Sequence, residues 1–270
     1  AVRFVLERKF RCPVTIVRTA QLANSDLGRY QVLILPDGDA YETTLGTAAA
    51  GRLRNWVQSG GTLIGIGDAL KYLSSSTVNL LALQMENGIS ETSEMDKDDR
   101  DKDKEEAENK ESEKKDGLPE SNERIAGIVL ASPGDYEKAI HPKNAAPDPS
   151  QGVLLTVHFN DRHWLAAGVP HQAFALFTGP NIFSPIRQDK GINVGFYSPA
   201  SAVVASGYLW DDFKRQIAYK PFEVIQPEKA GFVIGFTADP TFRTYMDGIE
   251  LLLMNAVYRG PAHSHDADDD

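Results

Sequence analysis

The sequence has 270 residues, 41% of them hydrophobic, which is enough for one large core or two small ones. The single cysteine, Cys12, excludes an internal disulfide framework and a metal site built from several cysteines. No apolar run approaches the roughly 20 residues that a membrane-spanning helix needs, and no signal peptide is visible. We therefore expect no membrane span.

The formal net charge of −10 is concentrated in two segments. Residues 91–123 hold 15 acidic against 7 basic side chains, a balance of −8, and residues 265–270 add four aspartates. The rest of the chain is then close to neutral, at +2. Binding to nucleic acid requires a clustered basic face, so we expect no nucleic-acid partner.

The first half of the chain alternates predicted helices and strands. The helices are predicted at residues 1–10, 47–59 and 68–75, and the strands at 14–17, 30–35 and 62–66. This alternation is typical of a parallel sheet that is covered by helices on both faces. Because the chain opens inside a helix, we expect its first strand to lie upstream, in a longer protein.

The second half is predicted to add further, partly antiparallel strands to the same α/β fold. Residues 91–123 read as an acidic, disordered insert, because they are almost free of apolar side chains. Strands are predicted at 153–159, 174–177, 192–197, 202–210, 218–225 and 231–237, and an amphipathic closing helix at 244–258. Gly260 and Pro261 are predicted to stop that helix. We expect one globular unit over 1–261 and a disordered acidic tail over 262–270.

Residues 62–70, TLIGIGDAL, read as a buried strand, a sharp turn and a helix. This order forms the elbow on which many α/β enzymes mount a nucleophile. Here the elbow carries Gly67 and Asp68. Glycine has no reactive group, and an aspartate at a helix start is usually a cap, although Asp68 could also act as a nucleophile or general base.

Asp37 and Asp39 follow the strand at 30–35, at the edge of the sheet where ligands bind in open α/β folds. With Asp68 they could bind a cation there, but turn formation explains both aspartates equally well. Asp239 and Arg243 lie between the last strand and the closing helix. Asp239 is predicted to cap that helix and Arg243 to pair with a carboxylate of the rim; alternatively, Arg243 could hold a small anion or a peptide carboxylate.

His163 and His171 flank a Gly-Val-Pro turn and could line a cleft with Trp210, although packing and surface exposure explain them as well. A hydrolase that uses Asp68 and Asp239 with one of these histidines requires the side chains to converge within hydrogen-bond reach. We expect no metal site and no cofactor in this chain.

Several segments resemble one known arrangement. YQVLILPDG at 30–38, WVQSGG at 56–61 and TLIGIGDAL at 62–70 resemble the class I glutamine amidotransferase-like (flavodoxin-like) fold. The second half is similar to the amidotransferase-like domain found C-terminal in large bacterial zinc carboxypeptidases of the carboxypeptidase A type. That similarity rests on HWLAAGVP at 163–170, AVVASGYLW at 202–210, and the residues 231–243 and 248–261.

The chain departs from the enzymes that it resembles. An active amidotransferase carries a cysteine at the elbow, because a thiolate attacks the amide carbon and a histidine serves as its base. Gly67 stands in that place, and Ala238, Asp239 and Pro240 stand where a His-x-Glu would follow a late strand. No histidine here is followed by glutamate in the H-x-x-E spacing of a zinc peptidase.

The resemblance therefore implies a non-catalytic accessory domain of a bacterial zinc carboxypeptidase, with the zinc in an upstream catalytic domain of the same polypeptide. Such a domain would serve interdomain packing, substrate positioning or oligomerisation, and its parent would be periplasmic or extracellular. Two alternatives remain open: the hydrolase described above, and a homo-oligomerisation domain such as the related one that mediates trimer contacts in some β-galactosidases.

Overall fold

The computed structural model describes residues 1–22, 24–89 and 145–264. Among the described residues, 1–86 and 146–264 belong to one compact unit, and 87–89 and 145 belong to a second. The predictions for the acidic insert at 91–123 and for the tail after residue 264 lie outside the described residues. In the described part of the chain, no helix is long and apolar enough to cross a membrane.

Three parallel strands form one end of the sheet, two from the first half of the chain and one from the second. Strand β1 (Val32–Leu35) pairs with β2 (Thr62–Ile66), and β2 pairs with β8 (Gly231–Phe236). All five residues of β2 are buried, because helices cover both faces of the sheet at this point.

The sheet continues beyond β8 in antiparallel strands. These are β7 (Pro221–Glu228), β5 (Ile192–Tyr197), β3 (Ser150–Phe159) and β4 (Gln172–Gly179), in that spatial order. A short strand, β6 (Val204–Ser206), pairs with β3 beside this path. The described residues thus form one eight-stranded mixed sheet, which confirms the predicted α/β class with a partly antiparallel extension.

Helices pack against both faces of the sheet. They are α1 (Val2–Phe4), continued by a π-helical turn (Val5–Lys9), α2 (Thr19–Leu22), α3 (Tyr41–Gln58), α4 (Ala69–Ser74), α5 (Asp211–Ile217) and α6 (Glu250–His263). Two apolar cores result. One contains the inner face of α6, and the other contains α3 and α4 with buried residues such as Leu53 and Leu70.

Two predicted strands differ from the structure, and one helix was not predicted. Residues 14–17 form no strand; they lie outside the sheet, with Ile16 64% exposed. The strand predicted at 202–210 is reduced to Val204–Ser206, and the helix α5 that follows it was not predicted. Its seven residues are too few to give a strong helical repeat in the sequence.

The closing helix is displaced toward the C-terminus. It begins at Glu250 rather than 244, because Arg243 and Thr244 both adopt positive φ angles, of 46° and 64°, that no α-helix contains. It also continues through Gly260 and Pro261 to His263. Gly260 serves close packing instead of termination: an added Cβ atom would overlap the side chain of Thr62 on β2.

Asn255 ties the HWLAAGVP segment to α6. Its buried side-chain amide donates to the carbonyl oxygens of Leu165, at 2.7 Å, and Ala167, at 2.8 Å. We expect Asn255→Ala to lower the free energy of unfolding by about 2 kcal/mol, because two carbonyl groups lose their donor. Urea unfolding measures the change, and Asn55→Ala on the exposed side of α3 is the control. A loss of less than about 0.5 kcal/mol would contradict this structural role for Asn255.

Candidate functional site

The predicted elbow is present at the end of β2. The chain leaves the strand at Gly67, whose φ angle is +57°, and α4 begins at Ala69. Glycine adopts this left-handed conformation without steric cost, whereas a side chain there is strained. The Gly67 N–H donates to the carbonyl oxygen of Phe236 at 2.9 Å, which fixes the turn against the end of β8.

The carboxylate of Asp37 fills the space beside the elbow. Its Oδ1 accepts the backbone N–H of Asp68 at 2.8 Å. A Cβ atom added to Gly67 would overlap this same oxygen. The position that an elbow nucleophile would occupy is therefore taken by an acidic side chain from the neighbouring strand end.

Asp68 does not cap α4 as predicted. It occupies the N-cap position, but its helical φ and ψ angles (−65° and −17°) differ from the extended ones with which an N-cap side chain reaches the first free N–H groups. Its Oδ1 instead accepts from Asn181 Nδ2 at 2.6 Å, and its Oδ2 lies 3.2 Å from Lys71 Nζ. Both oxygens of the Asp68 carboxylate thus have partners.

Asp239 does not cap the closing helix either, since that helix begins only at Glu250. Its Oδ1 accepts from the backbone N–H of Thr241 at 2.8 Å and from the Thr241 hydroxyl at 2.7 Å. These two bonds form a local turn of the Asx type, which holds the chain as it leaves β8.

Asp37, Asp68 and Asp239 nevertheless line one cavity, where the carboxyl ends of β1, β2 and β8 meet. Its other lining residues are Gly67, Leu176, Thr178, Asn181, Thr237, Ala238 and Phe242. The cavity measures about 40 Å³, whereas sites for drug-sized ligands measure roughly 300–1,000 Å³. It has room for a few water molecules and not for a substrate of ordinary size.

Sequence analysis missed three polar residues of this cavity, Thr178, Asn181 and Thr237. Thr178 and Asn181 come from the end of β4 and the loop after it, far from the elbow along the chain. Thr237 could have been found, because it directly follows β8 at the same rim. No sequence pattern indicates that Asn181 belongs to this cavity, because only the tertiary fold brings its side chain to Asp68.

The other acidic and basic candidates lie elsewhere. Asp39 lines a separate shallow depression with Thr19 and Tyr41. Arg243 is exposed, its guanidinium carbon lies 5.4 Å from the ring centre of Phe242, and among the described residues it has no ion pair. The predicted pairing of Arg243 with a rim carboxylate is wrong.

Tyr41 is a buried residue close to Asp37 of the cavity wall. Burial, with a contribution from the charge of Asp37, raises the pKa of Tyr41 to about 12, and its hydroxyl donates to the carbonyl oxygen of Pro36 at 2.8 Å.

In the described ranges, no group of three or more His, Cys, Asp or Glu side chains is arranged to hold a metal ion.

His163 lies at the opposite end of the parallel strands. Its neighbour Trp164 packs on Phe232, at the start of β8, with ring centres 6.1 Å apart. Asp239 follows the end of β8, and five residues of strand span roughly 16 Å. Burial and the nearby charge of His263 lower the pKa of His163. The structure does not bring His163 to the aspartates.

His171 and Trp210 are also apart from the cavity. His171 precedes β4, whose far end carries Thr178. Trp210 is 53% exposed and packs edge-to-face on Tyr208, with ring centres 5.0 Å apart. Among the described residues, no ring contact joins His163, His171 and Trp210 to one another, so the predicted cleft is not formed.

The fold and the elbow define an α/β protein of the amidotransferase-like class. A scan of protein-family models and a search of curated proteins find no match to the sequence. Among solved structures, a ThuA-like protein from Parabacteroides merdae is 13% identical with a TM-score of 0.53, and the alignment covers 97% of this chain and 84% of that one. This similarity concerns the fold alone.

Two further solved structures are similar at lower scores. A ThuA-like protein from Bacteroides uniformis is 12% identical with a TM-score of 0.45, covering 95% of this chain and 79% of that one. A cytoplasmic protein from Salmonella typhimurium is 12% identical with a TM-score of 0.49, covering 93% and 82%.

Proposed function

We propose that this chain is a non-catalytic amidotransferase-like domain that serves as an accessory domain of a bacterial zinc carboxypeptidase. One observation carries the non-catalytic part: the elbow residue is Gly67, and the carboxylate of Asp37 occupies the space that a side chain at this position would need. A thiol or hydroxyl cannot be placed there without displacing Asp37.

The remaining polar groups of the cavity also favour a structural role. Asp68 is held by Asn181 and Lys71, and Asp239 is held by Thr241. A general base must reach the proton that it removes at about 3 Å, or through one water molecule. Among the described residues, His163 lies at the other end of the sheet and His171 precedes β4 at the end away from Thr178, which argues against the acid–histidine arrangement of a hydrolase.

The test is turnover of glutamine and of p-nitrophenyl esters by the 270-residue chain and by two variants. We expect no turnover above background, and no gain in Gly67→Cys, because its thiol would meet Asp37 and no histidine of the described residues lines the cavity to act as its base. Asp68→Ala is expected to leave the background unchanged. Turnover that disappears in Asp68→Ala while the variant stays folded would overturn the non-catalytic assignment.

The accessory role is supported by the segments at 163–170, 202–210 and 231–261 that resemble the carboxypeptidase-linked domain. We expect an H-x-x-E zinc-binding domain upstream of Ala1 in the full-length polypeptide. The partner of this chain is then that catalytic domain, and a periplasmic or extracellular location belongs to the same proposal. Deleting the present chain from the polypeptide should raise the KM for peptides more than it lowers kcat. An upstream sequence with no zinc-binding motif would refute the carboxypeptidase assignment.

A further inference from the structure

His163 precedes the 3₁₀ turn Trp164–Ala166, which packs on α6. Its Nδ1 atom accepts the backbone N–H of the buried Leu165 at 3.2 Å. An imidazole nitrogen that accepts a hydrogen bond carries no proton, so the ring proton of the neutral His163 belongs to Nε2. If Nδ1 also gains a proton, it becomes a donor and can no longer accept this N–H.

An aromatic stack joins this turn to the end of α6. The indole of Trp164 stacks on the ring of His263, with ring centres 4.4 Å apart and an angle of 13° between the planes. It also stacks on the ring of His163, at 5.4 Å and 29°. His263 is fixed in the last turn of α6, because its Nδ1 lies 2.8 Å from the carbonyl oxygen of Arg259. Both imidazoles of the stack can take up a proton.

Protons on the two histidines act in opposite directions. A proton on His263 strengthens the stack, because a cation is favoured at the C-terminal end of a helix and over the face of an indole. A proton on His163 weakens the stack, because the Leu165 N–H loses its acceptor and a second positive charge forms near His263. Burial and, after it, the charge of His263 lower the pKa of His163.

The other elements packed around His163 supply no negative charge. The turn also packs on β5, whose one titratable residue, Tyr197, lies in the core against Phe177 and Phe222. Trp164 contacts β8 through Phe232, and β8 contains only apolar residues. The charged residues nearby along the chain are exposed: Asp161 and Arg162 before the turn, and Arg259 on α6. Among the described residues, the charge that acts on His163 is that of His263, and no carboxylate offsets it.

We propose that the stack of His163, Trp164 and His263 is an acid-sensitive latch, in which protonation of His163 at Nδ1 releases Trp164 from the end of α6. The released indole uncovers Phe232 at the start of β8, while Asn255 still holds the carbonyl groups of the turn. Release takes up one proton, so it is favoured as the pH falls below 6.5, the ordinary pKa of the freed imidazole. The inference does not rest on the proposed function, because the latch involves none of the residues of the cavity.

Amide hydrogen exchange of Leu165 tests the latch, measured by NMR on the 270-residue chain from about pH 7.5 to 4.5 and corrected for the intrinsic effect of pH on exchange. We expect the protection of this amide to fall by up to about tenfold for each pH unit below 6.5. The amide of Ile64 on β2 should stay protected, which separates local release from global unfolding. In His163→Asn the fall should disappear, because an asparagine oxygen caps the turn and does not titrate. His171→Asn, in the same loop, is the matched control and should keep the native profile.

His263→Gln adds a measurement that a purely structural stack would leave unchanged. It removes the neighbouring positive charge, so the fall in Leu165 protection should begin at a higher pH than in the native chain. An unchanged profile in this variant would overturn the proposal, and so would a native profile that is flat or that persists in His163→Asn. Should His163→Asn unfold, the ring nitrogen chemical shifts of His163 in the native chain decide: at pH 7.5 the proton must lie on Nε2, and a proton on Nδ1 refutes the latch.

Discussion

Raising the pH from 5 to 8 is expected to lower the free energy of unfolding of this protein, and Glu223→Gln is expected to abolish most of that decrease. Glu223 lies on the central strand β7, opposite Phe236 of β8. It is fully buried, and within the described part of the chain neither carboxylate oxygen has a hydrogen-bond partner. Burial raises the pKa of this carboxyl from 4.5 to about 8.

The sign follows from the protons bound in each state. Between pH 4.5 and about 8 the Glu223 carboxyl stays protonated in the folded chain and is ionised in the unfolded chain. The folded state then binds one more proton, so stability falls as the pH rises, by up to about 1.4 kcal/mol per pH unit. Below pH 4.5 both states are protonated and the cost is absent. Above pH 8 both are ionised and the full cost, of the order of 5 kcal/mol, remains.

Urea unfolding at pH 5, 6, 7 and 8 measures this profile. Glu223→Gln should give a nearly flat profile over pH 6 to 8, and Glu223→Leu should be more stable than the native chain at pH 8, because it buries no unpaired polar group. Asp161→Asn, at an exposed turn, is the control and should keep the native slope. Equal slopes for the native chain and Glu223→Gln would show that Glu223 is not titrating in this window.

Replacing Lys9 by methionine is expected to lower the free energy of unfolding by about 3 kcal/mol. Lys9 Nζ lies 3.0 Å from both carboxylate oxygens of Glu250, and it also donates to Asp247 and to the carbonyl oxygen of Thr244. The hydrogen bonds to Asp247 and Glu250 raise the pKa of Lys9. The Glu250 side chain is only 3% exposed, so removal of Lys9 leaves a buried carboxylate without its cation.

The control for this prediction is Arg3→Met, which removes the exposed ion pair with Glu7 and should cost less than about 1 kcal/mol. In the double variant Lys9→Met with Glu250→Gln, most of the loss should be recovered, because no uncompensated charge stays buried. Calorimetry or urea unfolding measures all three. If Lys9→Met and Arg3→Met cost the same, the buried Glu250 carboxylate does not depend on Lys9 for its stabilisation.

The cavity at the strand ends shows how similar side chains can serve structure or chemistry. Three carboxylates meet there. The rim position of their strand ends predicts Asp37 and Asp68 at this place, but the predicted third member was Asp39, and the structure has Asp239 instead. Each of the three, however, already accepts a hydrogen bond from a nearby N–H or hydroxyl group, and the elbow between them has no side chain. The arrangement stabilises three turns around a space that holds a few water molecules.

The difference between prediction and structure is clearest at two helix ends. Asp68 and Asp239 were both predicted as helix caps, because aspartate is favoured at that position. Asp68 lies at the start of α4, but its carboxylate accepts a hydrogen bond from Asn181 and does not cap the helix. Asp239 lies in a turn well before α6 begins. Gly260, predicted as a stop, is instead a contact with Thr62. For Asp68 and Gly260 a residue distant in sequence decided the outcome, whereas Asp239 forms a local turn with Thr241.

The sequence by itself determined the α/β class, the buried strand at 62–66, the elbow at Gly67 and the absence of a cysteine there. These features depend on local apolar patterns and on glycine, whose effects act within a few residues. Only the tertiary structure decided that Asp37 fills the elbow, that Asn181 holds Asp68, that His163 lies at the far end of the sheet and that β4 is an edge. Such relations depend on which strand ends meet in space, and the order of strands in a sheet is set by packing over the whole chain.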